Sequence, residues 1–339
     1  MSSLALAQTP PQSDPRFTEL GERLDRLMTV EMRPMSGGLP VGIVVPVYEI
    51  CRARSSGPLS TTVASALIHA VGPGDTVLIV TGAGVEPELP QGETDGPLGA
   101  AALARAMLLG LRARPVLVTE PAHAAPLEAC LAIAGPPGQD IATLAVSSGP
   151  AEIDDALGEL LVREQPRCVV FIERDGANAE GRYHGIRGNT RADCSVVALD
   201  LLADLAHTAS ITTIGIGDGG NEVGFGDVRD SIAPLLPHKG ACWDGCPSGL
   251  LTTRRTDLAL SASVSNWGAY AVCAALAAVL DKPETAWTGA LELAALRAAV
   301  AAGARDGATS RAEPTVDGIA AEVHIGVVDA MRAIAAASR

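Results

Sequence analysis

The chain has 339 residues, 47% apolar, 19% charged and 3% aromatic, enough for one large domain or two small ones with a substantial core, which excludes a disordered, collagenous or disulfide-stapled protein. Acidic side chains outnumber basic ones 39 to 25, and the net charge of -14 would repel DNA, RNA and anionic membranes, so neither nucleic acid nor membrane is an expected partner. Lysine occurs only at Lys239 and Lys282, which argues against a pyridoxal phosphate Schiff base and leaves no Gly-Lys-Ser/Thr of a P-loop.

Residues 1–13 are rich in Ser, Gln and Pro without periodicity and read as a disordered tail. The first charge is Asp14, so the start lacks both the basic region of a secretory signal and the Arg-rich pattern of an organelle presequence, and a cytoplasmic location is expected. Phe17, Leu20, Leu24, Leu27 and Met28 recur at helical spacing behind Asp14 and Pro15 and predict an amphipathic helix over 14–30. After an apolar stretch at 41–48, a helix-like run from Leu59 to Val71 stops at Gly72-Pro73-Gly74.

From there the pattern alternates. Short apolar runs at 76–81, 115–119, 142–146, 167–172, 211–216 and 257–262 read as buried strands. Ala- and Leu-rich stretches near 97–110, 124–134, 151–163, 192–206, 220–233 and 266–281 read as the helices between them. A C-terminal helical part, 284–337, divides into helices near 284–302 and 322–337 around a loop from Gly303 to Asp317. Such alternation implies a single α/β domain over 14–339: a doubly wound, mostly parallel sheet with helices on both faces. The uncharged run Leu258–Leu280 is long enough to span a bilayer, yet Ser261, Ser263, Ser265, Asn266 and Gly268 divide it into strand, turn and helix. Seven cysteines, an odd number lying mostly in apolar stretches, read as free thiols in a reducing compartment.

Ligands of parallel sheets bind beyond the carboxyl ends of the strands, and the polar residues of this sequence concentrate there. The first strand leads to Glu93-Thr94-Asp95-Gly96-Pro97, where Thr94 or Asp95 reads as a helix cap and Pro97 as a first-turn residue, leaving Glu93 unexplained by capping. The strand ending at Ile172 emits Glu173-Arg174-Asp175-Gly176, and a polar loop follows through Arg182, Tyr183, His184, Arg187 and Asp193. Charges of both signs suit a zwitterionic substrate, with arginine forking a carboxylate and an acidic group taking a proton. The alternative is a solvated loop with internal ion pairs, and His184 alone reads as structural.

The segment Gly215-Ile216-Gly217-Asp218-Gly219-Gly220-Asn221-Glu222 follows a strand and is expected to open a helix. Glycine amides there suit an anion, while Asp218, Asn221 and Glu222 are candidate ligands for a hard cation such as Mg or Mn. Gly215, Gly217 and Gly220 fit the letters of the dinucleotide fingerprint, but Asp218 and Glu222 would face the pyrophosphate, so a cation or an amine is favoured. Ser265-Asn266-Trp267-Gly268 ends the last strand, with Ser265 placed to cap the next helix and Asn266 to reach a ligand. His238, Cys242 and Cys246, spaced by four, raise a zinc site; the loop offers no fourth ligand, so it reads as irregular and its cysteines as dispensable for activity.

These motifs, together with Val316-Asp317-Gly318, occur in an order that resembles the D-glutamate cyclase family from about residue 60 to about residue 330. The resemblance implies a hydro-lyase converting D-glutamate to 5-oxo-D-proline and water, and the loop from Pro237 to Arg255 departs from the family pattern. Residue roles come instead from the chemistry. The α-ammonium must lose protons before nitrogen attacks the side-chain carboxyl, and a carboxyl oxygen must be protonated or metal-bound before it leaves as water. Glu93, Asp95, Glu173, Asp175, Asp218 and Glu222 are the candidate acid-base groups, because a carboxylate cluster raises the pKa of some members. Arg174, Arg182 or Arg187 is expected to hold the α-carboxylate of a small acidic amino acid, with Gly219, Gly220, Asn221, Ser265 and Asn266 as further contacts. A phosphate- or nucleotide-binding enzyme using the Gly-rich turn is the second reading, and a non-catalytic amino-acid-binding domain the third.

Overall fold

The computed structural model describes residues 15–33, 39–147, 149, 151–191 and 196–338. The tail expected over 1–13, the Asp14 cap, Asp193 and the start of the helix expected from 192 lie outside the described residues.

Six strands form one parallel sheet: β1 (Thr76–Thr81), β2 (Arg114–Thr119), β3 (Ala142–Ala145), β4 (Cys168–Ile172), β5 (Thr212–Gly217) and β6 (Leu258–Ser261), in the order β3-β2-β1-β4-β5-β6. β1 and β4 are wholly buried, which explains their unbroken Val/Ile/Leu runs in place of an alternating pattern. The chain moves outward from β1 to β2 and β3, then crosses back to β4 and moves the other way, so the β1–β4 boundary is the topological switch point of a doubly wound sheet.

One face is covered by α1 (Pro15–Met28), α2 (Val44–Arg52), α3 (Leu59–Ala70), α4 (Pro97–Ala106), α5 (Ala124–Ala134), α9 (Ser265–Val279), α10 (Gly289–Ala301) and α11 (Ala321–Ala337). The other face is covered by α6 (Ile153–Glu164) and α7 (Leu201–Thr208), which pack Leu157, Leu160, Leu202 and Ala206 against Leu78, Val80, Val169 and Phe171. α9 lies at the centre of the thicker layer, buried almost throughout, and its Ala-rich surface lets α4 approach closely. A Cβ at Gly99 of α4 would stand 2.9 Å from Asn266 Oδ1. The uncharged run from Leu258 therefore resolves into β6 and α9, and no helix among the described residues is long and apolar enough to cross a membrane.

Three elements differ from expectation. The apolar stretch at 41–48 begins α2, whose Val44, Val47 and Cys51 face the core at helical spacing. The loop from Gly303 contains a short hairpin, β7 (Thr315–Val316) with β8 (Ile319–Ala320). The helix expected over 220–233 shrinks to α8 (Arg229–Ile232). Gly220 and Gly224 adopt φ of 105° and 119°, and the backbone between them pairs with neighbouring loops: Val223 N–H donates to the Arg174 carbonyl and Gly224 N–H to the Arg254 carbonyl.

Candidate active site

Loops leaving β1, β4 and β5 converge with the β7–β8 hairpin on a cleft of about 330 Å³ at the carboxyl edge of the sheet. Glu93 comes from the β1 loop, Glu173 from the end of β4, Asp218, Asn221 and Glu222 from the β5 loop, and Asp317 from the turn between β7 and β8. Asp95, Glu173 and Asp218 are buried and offer carboxylate oxygens within 4.8 Å of one another.

Local backbone chemistry aims each group. Asp95 does not cap α4, as expected of it or of Thr94. Its carboxylate accepts from the Ser265 and Asn266 amides, both at 2.8 Å, and so satisfies the first turn of α9. Thr94 instead donates through its hydroxyl to the Thr315 carbonyl, tying the β1 loop to the hairpin. Glu173 and Asp317 both occupy the left-handed region, with φ of 44° and 54°, where a side chain other than glycine costs about 1–2 kcal/mol. Both strained residues present a carboxylate to the cleft. A Cβ at Gly307 would lie 1.8 Å from Glu93 Oε2 and 3.5 Å from Asp317 Oδ1, so these two carboxylates approach the same glycine.

The charge balance is uneven. Arg33 pairs with Asp218 and Asp317, and Arg191 pairs with Asp175, whereas Glu93, Asp95, Glu173 and Glu222 make no direct ion pair with an arginine among the described residues. Burial pushes Asp218 and Asp317 up to about 7 against the opposing pull of Arg33. Burial, reinforced by the Asp317 charge, holds Glu93 and Asp95 well above the usual carboxylate range, and burial with the Asp218 charge does the same to Glu173. The cluster is thus built to hold protons near neutrality or to receive a cation.

Several expected roles are corrected. Arg174 lies behind the cleft, with its guanidinium bonded to Glu120 and to the Gly82 and Val197 carbonyls, so it ties loops together and does not face a substrate. Arg182 is half-buried and outside the cleft lining; Arg187 stands at the cleft mouth, where it donates to the Ala308 carbonyl. The amides of Gly219 and Gly220 are taken by the Glu222 carboxylate, which folds back over its own turn and removes them as an anion site. Glu222 is not part of the converged set of carboxylates that could hold a metal, which is Asp95, Glu173 and Asp218. Asn221 donates to Asp175 and to the His184 carbonyl.

Ser265 does not cap α9 through its hydroxyl, which donates to Glu173, and Asn266 is fully buried against α4. Asp175 sits one layer back, held by Arg191 and Asn221. Sequence reasoning missed Arg33 and Arg191, and it gave no role to Asp317, although Asp317 stood in a motif.

The cysteine reading is also corrected. Cys51, Cys130, Cys168 and Cys273 are free and buried, but Cys242 and Cys246 are joined as a disulfide. Cys194 lies outside the described residues. The histidine beside that pair is His184, with Nε2 3.3 Å from Cys246 Sγ, and not the expected His238.

The family described as D-glutamate cyclase-like, C-terminal, matches residues 48–332. The mitochondrial D-glutamate cyclase of Homo sapiens is 32% identical over 108 residues, a stretch covering 32% of this chain and 16% of the human protein.

Proposed function

The chain belongs to the D-glutamate cyclase-like family, and we propose that it cyclises D-glutamate to 5-oxo-D-proline with loss of water. The observation that carries this reading is the convergence of Glu93, Glu173, Asp218 and Asp317, from four separate loops, on one cleft with raised carboxyl pKa values. Lactam formation moves two protons from the substrate nitrogen to the departing carboxyl oxygen, and a site for it must both take and give protons near neutral pH.

Glu93 and Asp317 suit that exchange. Each faces the cleft, and the Asp317 charge adds to burial in raising the affinity of Glu93 for a proton. The ionised member takes a proton from the ammonium, nitrogen attacks the side-chain carboxyl carbon, and the protonated member delivers to the oxygen that leaves as water. A second transfer of the same kind completes the balance. Arg187, at the mouth, would fork the α-carboxylate.

Asp95, Glu173 and Asp218 form an all-oxygen donor set that fits a hard divalent cation such as Mg or Mn. Such an ion supplies Lewis acidity at the carboxyl under attack. Occupation of the Gly219 and Gly220 amides by Glu222 argues against the nucleotide reading, since the two glycine amides of the turn are not left to cradle a phosphate.

The test is an unbiased screen of D- and L-amino acids, with Mg or Mn supplied and water loss detected by mass spectrometry. Loss of water from D-glutamate supports the reading. Tight binding of an acidic amino acid without any product replaces it with a non-catalytic binding domain.

A further inference from the structure

The cleft wall formed by Gly185–Asn189 rests on a second cluster of chemistry-bearing side chains that the proposed reaction does not use. His184 Nε2, Cys242 Sγ and Cys246 Sγ all lie within 4.8 Å of one another, and His184 and Cys242 are buried. The loop carrying the two sulfurs is bent around them by Gly240, Gly245 and Gly249, with φ of 72°, 69° and 68°.

Two N–H groups already point at sulfur. The Cys246 amide donates to Cys242 Sγ at 3.0 Å, and Asn178 Nδ2 lies 3.7 Å from Cys246 Sγ. Donors to sulfur stabilise thiolates, the form that binds metal, and are the usual outer partners of a cysteine metal site. The third ligand comes from a different segment, 58 positions before Cys242, which is why the loop read in isolation looked incomplete.

We propose that His184, Cys242 and Cys246, once the disulfide is reduced, bind one zinc ion, with water in the fourth position. Reduction by a dithiol opens the Cys242–Cys246 bond to two thiols while the reductant closes to its own disulfide, and zinc then displaces the two thiol protons. Three protein ligands and a water is a coordination zinc accepts.

Its role is positional. Trp243 N–H donates to the Gly188 carbonyl at 2.8 Å, and the His184 carbonyl receives Asn221 Nδ2 at 3.2 Å, so the ion would pin the cleft wall to the strand-end loop that carries Asp218.

The test uses the full chain, reduced by a phosphine and freed of it, then titrated with cobalt(II) as a spectroscopic stand-in for zinc and with zinc against a chromogenic chelator. The expected result is a thiolate-to-cobalt charge-transfer band saturating at one equivalent, absent without reduction. That band should be lost in Cys242→Ser and Cys246→Ser. In His184→Gln zinc affinity should fall at least tenfold, while His238→Gln should leave both readouts unchanged and Asp218→Asn should leave the charge-transfer band unchanged, which separates this site from the carboxylate triad. Absence of the band in the reduced, folded wild-type chain overturns the proposal, as does unchanged zinc affinity in folded His184→Gln. If the cysteine variants do not fold, the reduced and unreduced wild-type chain and His184→Gln decide it.

Discussion

Asp95 and Asn266 cap each other's helices. The Asp95 carboxylate accepts the Ser265 and Asn266 amides at the start of α9, while Asn266 Oδ1 accepts the Gly96 and Gly99 amides at the start of α4, at 3.0 and 2.7 Å. Asn266 Nδ2 adds a bond to the Thr94 carbonyl at 3.1 Å. One carboxylate of the candidate triad is thereby locked to two largely buried helices of the core.

Asn266→Ala strands the buried Gly99 amide and the Thr94 carbonyl, each costing about 1–3 kcal/mol when left unpaired, while the Gly96 amide keeps its bond to Asp95 Oδ1. A loss of roughly 3 kcal/mol or more in urea denaturation is expected, together with lower activity. A change below about 1 kcal/mol would show that the reciprocal cap contributes little.

At Glu173 stability and activity should move in opposite directions. Glycine there relieves the left-handed backbone, and it removes a buried carboxyl crowded by Asp218 and Glu222. Glu173→Gly is expected to be more stable than the parent by about 1 kcal/mol and at least about a hundredfold less active. Lower stability in the denaturation curve would mean that the Ser265 bond outweighs the strain.

The raised carboxyls also set a pH dependence. Asp218 and Asp317, and Glu292 in the core, are pushed by burial to about 7 from an ordinary value near 4. Each holds its proton more tightly in the folded chain, so its contribution to stability is present below about 4, declines as pH rises through about 7, and changes no further above that. Scanning calorimetry should show Tm falling by roughly 5 °C between about pH 5 and pH 8. Mg or Mn should recover more of it at the higher pH, where Asp218 is ionised. Glu292→Gln should flatten the slope without abolishing the metal effect, because Glu292 is bound to Tyr270 and Trp287 and does not line the cleft. A Tm that rises across this range contradicts the assigned ionisations.

Much of the architecture was legible because both faces of the central strands are covered: the apolar run at 76–81 is β1, and the runs near 167–172 and 257–262 are β4 and β6 to within a residue or two at each end. The strand-end rule then brought Glu93, Glu173 and Asp218 to one cleft. What stayed hidden depends on chain closure at long range. Arg33 reaches Asp218 across 185 positions, and nothing in its own neighbourhood marks it. Glu222 has the right chemistry for a ligand, but its carboxylate is taken by amides two and three residues away. Periodicity also overstated the helix after β5, where left-handed glycines turn the backbone into bridges with its neighbours.

The central claim is tested most directly by the rate at which the folded chain and its Asp218→Asn variant release 5-oxoproline from D-glutamate with Mg or Mn present. The account predicts product from the parent and a fall of at least roughly two orders of magnitude in the variant, with its thermal unfolding still cooperative. No 5-oxoproline from either enantiomer of glutamate, or an unimpaired Asp218→Asn variant, would contradict it.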